Sequence, residues 1–268
     1  MLVAAAVCPC PPLLVPAVAA GAAPELDAAR AACTDALGVL AAARPDRLVV
    51  VGPAGDGHRG PDPGPDPGAG GPHASAEGPY TGSETSYAGV RSFPEGTPGS
   101  FRGFGVDLGV RLGREQAAGP ERELPASLAV AAWLLERTGW SDAPIEGLAV
   151  AEPLDAERCI HVGRDIAGQA GRVALLVMGD ASACRTVKAP GYLDERAAPF
   201  DAEVARALGA ADVAALKALD TGLARELKAS GRAPWQVLAG AAEDAGLSGA
   251  LLYEDAPYGV GYLVAAWS

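Results

Sequence analysis

An α/β fold with a mainly parallel central sheet, and with helices on both of its faces, is predicted by three observations. Short apolar runs bounded by Gly or Pro stand at Leu2–Val7, Arg47–Val51 and Val173–Met178, the pattern of strands buried on both sides. Between the first two, Glu25–Ala43 carries apolar residues at 26, 33, 37 and 40, a helical spacing in an alanine-rich context. Strand, helix and strand in immediate succession make a βαβ unit, which needs parallel pairing because a hairpin cannot accommodate the helix. The 268 residues suffice for one such domain over 1–268 with a sizeable core.

The remaining elements follow in order. Leu2–Val7 enters a rigid loop with prolines at 9, 11, 12 and 16. Residues 55–100 are rich in Gly and Pro, and PDPGPDPGAGG at 61–71 cannot bury enough surface to order itself, so a partly mobile insertion is expected there. Ser100–Leu112 reads as a strand or hairpin arm. Leu124–Arg137 is a helix stopped by Gly139. Gly147–Val150 and Cys159–Val162 read as short strands. Asp201–Ala229 is helical with a turn at Ala210, Trp235–Ala245 is a helix, and Gly249–Tyr253 and Val260–Ala266 close the chain as strands.

Charge and composition exclude some functions. With 21 basic against 33 acidic residues the net charge is −12 and the pI about 4.7. Phosphate contacts by Lys and Arg dominate non-specific nucleic-acid binding, so neither nucleic acid nor an anionic membrane surface is an expected partner. The apolar start of the chain has no Lys or Arg and is broken by prolines, which argues against a signal peptide. No uninterrupted run of about 20 apolar residues occurs. Five cysteines without framework spacing read as free thiols of a cytoplasmic protein. There is no phosphate-binding P-loop, no dinucleotide fingerprint and no CxxC pair.

Chemistry in open α/β sheets gathers beyond the strand C-termini. Three loops stand there: CPCPPLLVP at 8–16, GPAGDGH at 52–58 and GDASACRTVKAPGY at 179–192. They are expected to meet around a small-molecule pocket lined by Pro53, Ala54, Ala183, Cys184, Arg185, Lys188 and Tyr258.

These motifs, with APGYLDERAAPFDAEV at 189–204 and EDAPYGVGYLVA at 254–265, resemble the class III extradiol ring-cleavage dioxygenases of the LigB-like fold, to which Memo proteins also belong. The resemblance covers most of the chain in the same order, apart from the 55–100 insertion. It implies Fe(II) held by a His in a HxPLL-like loop, a His in an SPH-like turn and a Glu nearer the C-terminus, with a further His in GDxSH as acid/base. The chain departs from that pattern throughout. Cys10 stands at the first His and Ala54 at the second. Ala183 or Cys184 stands at the GDxSH histidine, and Ala229–Trp235 contains no Glu. A methyl group has no lone pair for iron and carries no proton.

Three readings follow. In the first, the iron site is lost, no cofactor is expected, and a pocket for a small anionic or aromatic ligand remains, with Cys10, Asp180 and Ser182 as candidate catalytic residues. In the second, an altered site binds Fe(II), Zn or another soft metal through Cys10, His58 and Cys184. In the third, the chain is a non-catalytic interaction protein, as Memo-type relatives imply, with a homodimer among its options. Each candidate also has a plain structural role. Cys10 and Cys184 suit a small buried site, Asp180 and Ser182 suit turn caps, and Arg185 and Lys188 suit a solvated surface.

Overall fold

The computed structural model describes residues 1–55, 89–114, 122–169 and 171–268. The strands are β1 (Leu2–Cys8), β2 (Arg47–Pro53), β3 (Val90–Pro94), β4 (Pro98–Ser100), β5 (Gly109–Arg111), β6 (Ile145–Val150), β7 (Val173–Met178), β8 (Gly249–Asp255) and β9 (Tyr262–Trp267). The helices are α1 (Pro16–Ala19), α2 (Asp27–Ala42), α3 (Ala126–Thr138), α4 (Ala156–Gly168), α5 (Ala197–Gly209), α6 (Val213–Lys217), α7 (Thr221–Glu226) and α8 (Arg232–Ala241).

The fold is α/β around a seven-stranded mixed sheet of order β3-β6-β2-β7-β1-β9-β8. Its centre, β6-β2-β7-β1, is parallel, whereas β3, β9 and β8 pair antiparallel to their inner neighbours. Register aligns Cys8 with Met178, Val51 with Val177 and Pro53 with Val150, so the chain leaves all four central strands at one end of the sheet.

Successive side chains of a strand point to opposite faces, and two separate cores result. Ala4, Ala6, Leu48, Val50, Ala174 and Leu176 meet Leu37 and Leu40 of α2 and Leu128 and Leu135 of α3. Ala5, Val7, Val49, Val51, Leu175 and Val177 meet Val162 of α4, Val204 of α5 and Trp235 of α8. Alanines in the central strands let large helix residues approach the backbone closely.

Several expectations are corrected. Cys159–Val162 is helical and lies inside α4. Asp155 caps that helix by accepting the Arg158 N–H at 2.8 Å, and Cys159, Ile160, Val162, Gly163 and Ile166 form its buried face. Four residues with apolar Cys159, Ile160 and Val162 fit either structure locally, and the cap and the later Ile166 decide for the helix. Ser100–Leu112 is not one arm. Pro98–Ser100 pairs with Gly109–Arg111 across a 3-10 turn at Arg102–Phe104. Within the expected insertion, Val90–Pro94 forms an edge strand on β6. The 61–71 repeat lies outside the described residues.

The tightest packing is between α4 and α8. A Cβ on Gly163 would lie 2.0 Å from the Val237 carbonyl oxygen, and one on Gly240 would lie 2.0 Å from that of Ile160. The crossing exists only because both positions lack a side chain. Gly240→Ala is therefore expected to destabilise the fold by ~3 kcal/mol or more, read from urea unfolding, whereas the exposed, uncrowded Gly38→Ala should cost nothing.

Candidate functional site

The loops after β1 and β7 meet, as their register requires. Pro9 and Pro11 flank Cys10, whose N–H has no strand partner and donates to Asp180 Oδ1 at 2.9 Å. Gly179 N–H donates to the Cys8 carbonyl at 3.0 Å, closing the gap between the two strand ends. The N-terminus of α8 then packs onto β7. A Cβ on Gly179 would lie 2.3 Å from Gly231 Cα, so any other residue there would push the helix away. Asp180 N–H donates to Ser230 Oγ at 3.1 Å, and Gly231 N–H donates to the Asp180 carbonyl at 2.9 Å.

Asp180 is thus fixed on three sides and only half-buried. Its Oδ2 accepts no hydrogen bond among the described residues. Burial pushes its carboxyl up to about 7, against the opposing pull of the Cys10 N–H. The Cys10 thiol is also pushed well up, first by burial and then by the Asp180 charge, although Ser230 works the other way. A cysteine in that state is a neutral thiol near neutral pH rather than a nucleophile. Tyr262 lies beside this group, and burial followed by the Asp180 charge raises its phenol. Tyr258 is half-buried, and its hydroxyl oxygen is buried with no hydrogen-bond partner among the described residues.

Ser182 belongs to a different arrangement. Its Oγ donates to Asp201 Oδ2 at 2.8 Å and its N–H donates to Asp201 Oδ1 at 2.8 Å. Arg185 completes the cluster with an ion pair to Asp201 Oδ2 at 3.0 Å. Ser182 and Asp201 are almost fully buried, and the base beside the hydroxyl among the described residues is Asp201, which is already neutralised by Arg185. This cluster clamps the 180–185 loop to α5. Asp201 was absent from the expected site, yet it sits on the buried stripe of α5 with Ala197, Val204, Ala205 and Leu208. A carboxylate at that spacing signals a buried partner. Ser230 carries no such signal, because an isolated Ser in a turn looks like any other.

The other candidates are placed as follows. Pro53 is buried, and its carbonyl accepts the Ser127 hydroxyl at 2.6 Å. Ala54 is half-buried and offers a methyl group. Ala183 is buried, with its N–H donating to the Leu227 carbonyl at 2.9 Å. Cys184 is buried, with its thiol 3.5 Å from the same carbonyl. Lys188 is exposed. Cys10 and Cys184 belong to cores on opposite faces of the sheet, so they do not converge on one ion. His58 lies outside the described residues.

No group of three His, Cys, Asp or Glu side chains among the described residues is placed to hold a metal ion. The stretch Ala229–Trp235, where the resemblance implies a Glu, instead carries Arg232, whose buried guanidinium donates to the Leu154 carbonyl at 2.6 Å and to Gln236 Oε1 at 3.1 Å. A groove of about 480 Å³, lined by Thr34, Leu37, Gly38, Ala41, Arg137, Thr138, Trp140 and Asp142, opens between α2 and α3 toward the strand N-termini, away from this chemistry.

No protein-family model matches the chain, and no curated protein matches it. The chain is similar to a solved structure titled as that of the uncharacterized protein JW3007 from Escherichia coli K12. The identity is 12%, with 99% of each chain covered and a TM-score of 0.47. No helix among the described residues is long and apolar enough to cross a membrane.

The unfolded chain ionises a carboxyl near pH 4, whereas folded Asp180 holds its proton to about 7. Between those values the folded state binds more protons, so its stability falls as pH rises through the window. Asp180→Asn keeps an acceptor for the Cys10 N–H but does not titrate. Its stability relative to the parent chain is expected to rise by ~1–2 kcal/mol between pH 4 and pH 8, allowing for partial solvation. Urea unfolding at the two pH values measures this.

Proposed function

We propose that this chain is a divergent relative of the class III extradiol dioxygenases, a single three-layer LigB-like domain whose strand-end site works by proton exchange rather than through iron. The observation that carries this reading is the Cys10–Asp180–Ser230 arrangement. One carboxylate oxygen is anchored by the Cys10 N–H, the other accepts no hydrogen bond among the described residues, and burial pushes the group up to about 7. A carboxyl with that titration is suited to give or take a proton at physiological pH.

In this reading a small aromatic or anionic ligand sits over Ala54 and Tyr258 and meets Asp180 Oδ2. The Cys10 N–H holds the carboxyl and Ser230 holds the Asp180 backbone, and the neutral Cys10 thiol supplies shape rather than covalent chemistry. Ser182 has no catalytic part, since Asp201 occupies its hydroxyl. Residence in the cytoplasm accords with five buried free thiols.

Two measurements test this with catechol as the probe. Oxygen uptake with catechol and added Fe(II) is expected to stay at the level without protein, and ring-cleaving turnover would contradict the reading. Catechol alone is expected to raise the melting temperature of the parent chain, and Ala54→Trp, which puts a bulky side chain into the loop after β2, is expected to abolish that shift.

A further inference from the structure

Five of the seven exposed large apolar side chains among the described residues fall in two segments. Val187, Tyr192 and Leu193 stand in the loop before α5, at 57%, 65% and 48% exposure, and Leu251 and Leu252 stand on β8. The loop is rigid. Ala189 N–H donates to the Thr186 carbonyl, Gly191 N–H to Ala183, Tyr192 N–H to Ala189 and Asp194 N–H to Cys184. Tyr192 is held at φ +64, a conformation costly for an aromatic residue. These side chains are therefore presented to solvent in a fixed arrangement.

The two segments share one end and one edge of the sheet. β8 and β1 are both antiparallel to β9, so the Glu254–Asp255 end of β8 lies where the 179–193 loop emerges. Arg185 N–H donates at 3.0 Å to the carbonyl of Gly259, in the turn that follows β8. Helix α5, which follows the loop, runs along β8, with Gly209 against Leu251.

Their charges are opposite. Lys188 has no ion-pair partner among the described residues, and Lys228 Nζ reaches only the Pro190 carbonyl, at 3.3 Å. Glu254 and Asp255 likewise have no cationic partner there. β8 is an edge strand, yet the register shift between Leu251 and Tyr253 interrupts its ladder and disfavours pairing with a further strand. Side chains, rather than backbone, are what this edge offers. The opposite edge is guarded differently, since β3 carries Arg91, ends at Pro94 and ties Ser92 to Glu146.

We propose that this edge is the interface of a homodimer with its two-fold axis along the strands. The axis brings Leu251 and Leu252 of the two copies together and sets the cationic loop of each copy against the acidic end of β8 in the other. A surface with an apolar centre, a cationic half and an anionic half is complementary to itself under that rotation.

Sedimentation velocity on the full chain over a concentration series tests the proposal, with thermal melts confirming that each variant is folded. The parent chain is expected to form a dimer. Leu252→Arg and Lys188→Glu are each expected to weaken it at least ~10-fold, and Lys188→Glu combined with Glu254→Lys is expected to recover most of the loss. Tyr192→Ser replaces Leu252→Arg as the apolar test if the latter does not fold. A parent chain that is monomeric at every concentration overturns the proposal, as does a dimer indifferent to the single changes. A double charge exchange no tighter than Lys188→Glu alone overturns it too.

Discussion

The hydrogen bond from the Cys10 N–H to Asp180 Oδ1 is the constraint around which the strand-end site is organised. Two parallel strands end side by side, and their loops must part. Asp180 holds them together by accepting from one loop with its side chain while its own backbone engages the turn into α8. Burial moves its titration toward neutrality, and the bond from the Cys10 N–H pulls the other way.

The loops are held by hydrogen bonds, that of the Cys10 N–H to Asp180 on one side and those of Ser182 and Arg185 to Asp201 on the other. Cys10 enters this arrangement as a neutral thiol, because burial and the Asp180 charge raise it.

Much of the fold was legible in the residues. LVVV at 48–51 and VALLVM at 173–178 are apolar throughout because β2 and β7 are covered on both faces, and that is the strongest strand signal available. Val90–Pro94 was hidden because an edge strand with Phe93 as its one fully buried residue has no alternation to read and ends in Pro. Cys159–Val162 misled because four residues cannot separate a period of 2 from one of 3.6. The order of strands in the sheet depends on long-range packing and is not written locally. Cys10 and Asp180 were legible as neighbours because both stand in loops after parallel strands, and Asp201 was detectable from its helical spacing. Ser230 was not, since its role comes entirely from the Gly179–Gly231 contact that brings α8 to β7.

The most direct test of the central claim is a carbon-13 NMR titration of the Asp180 carboxyl in the intact protein, assigned by its absence in an Asp180→Asn sample. The account predicts a midpoint about 7, well above the ordinary carboxylate range of about 4. A midpoint at or below about 4 would contradict it, because an Asp180 ionised throughout the physiological range could not exchange a proton there.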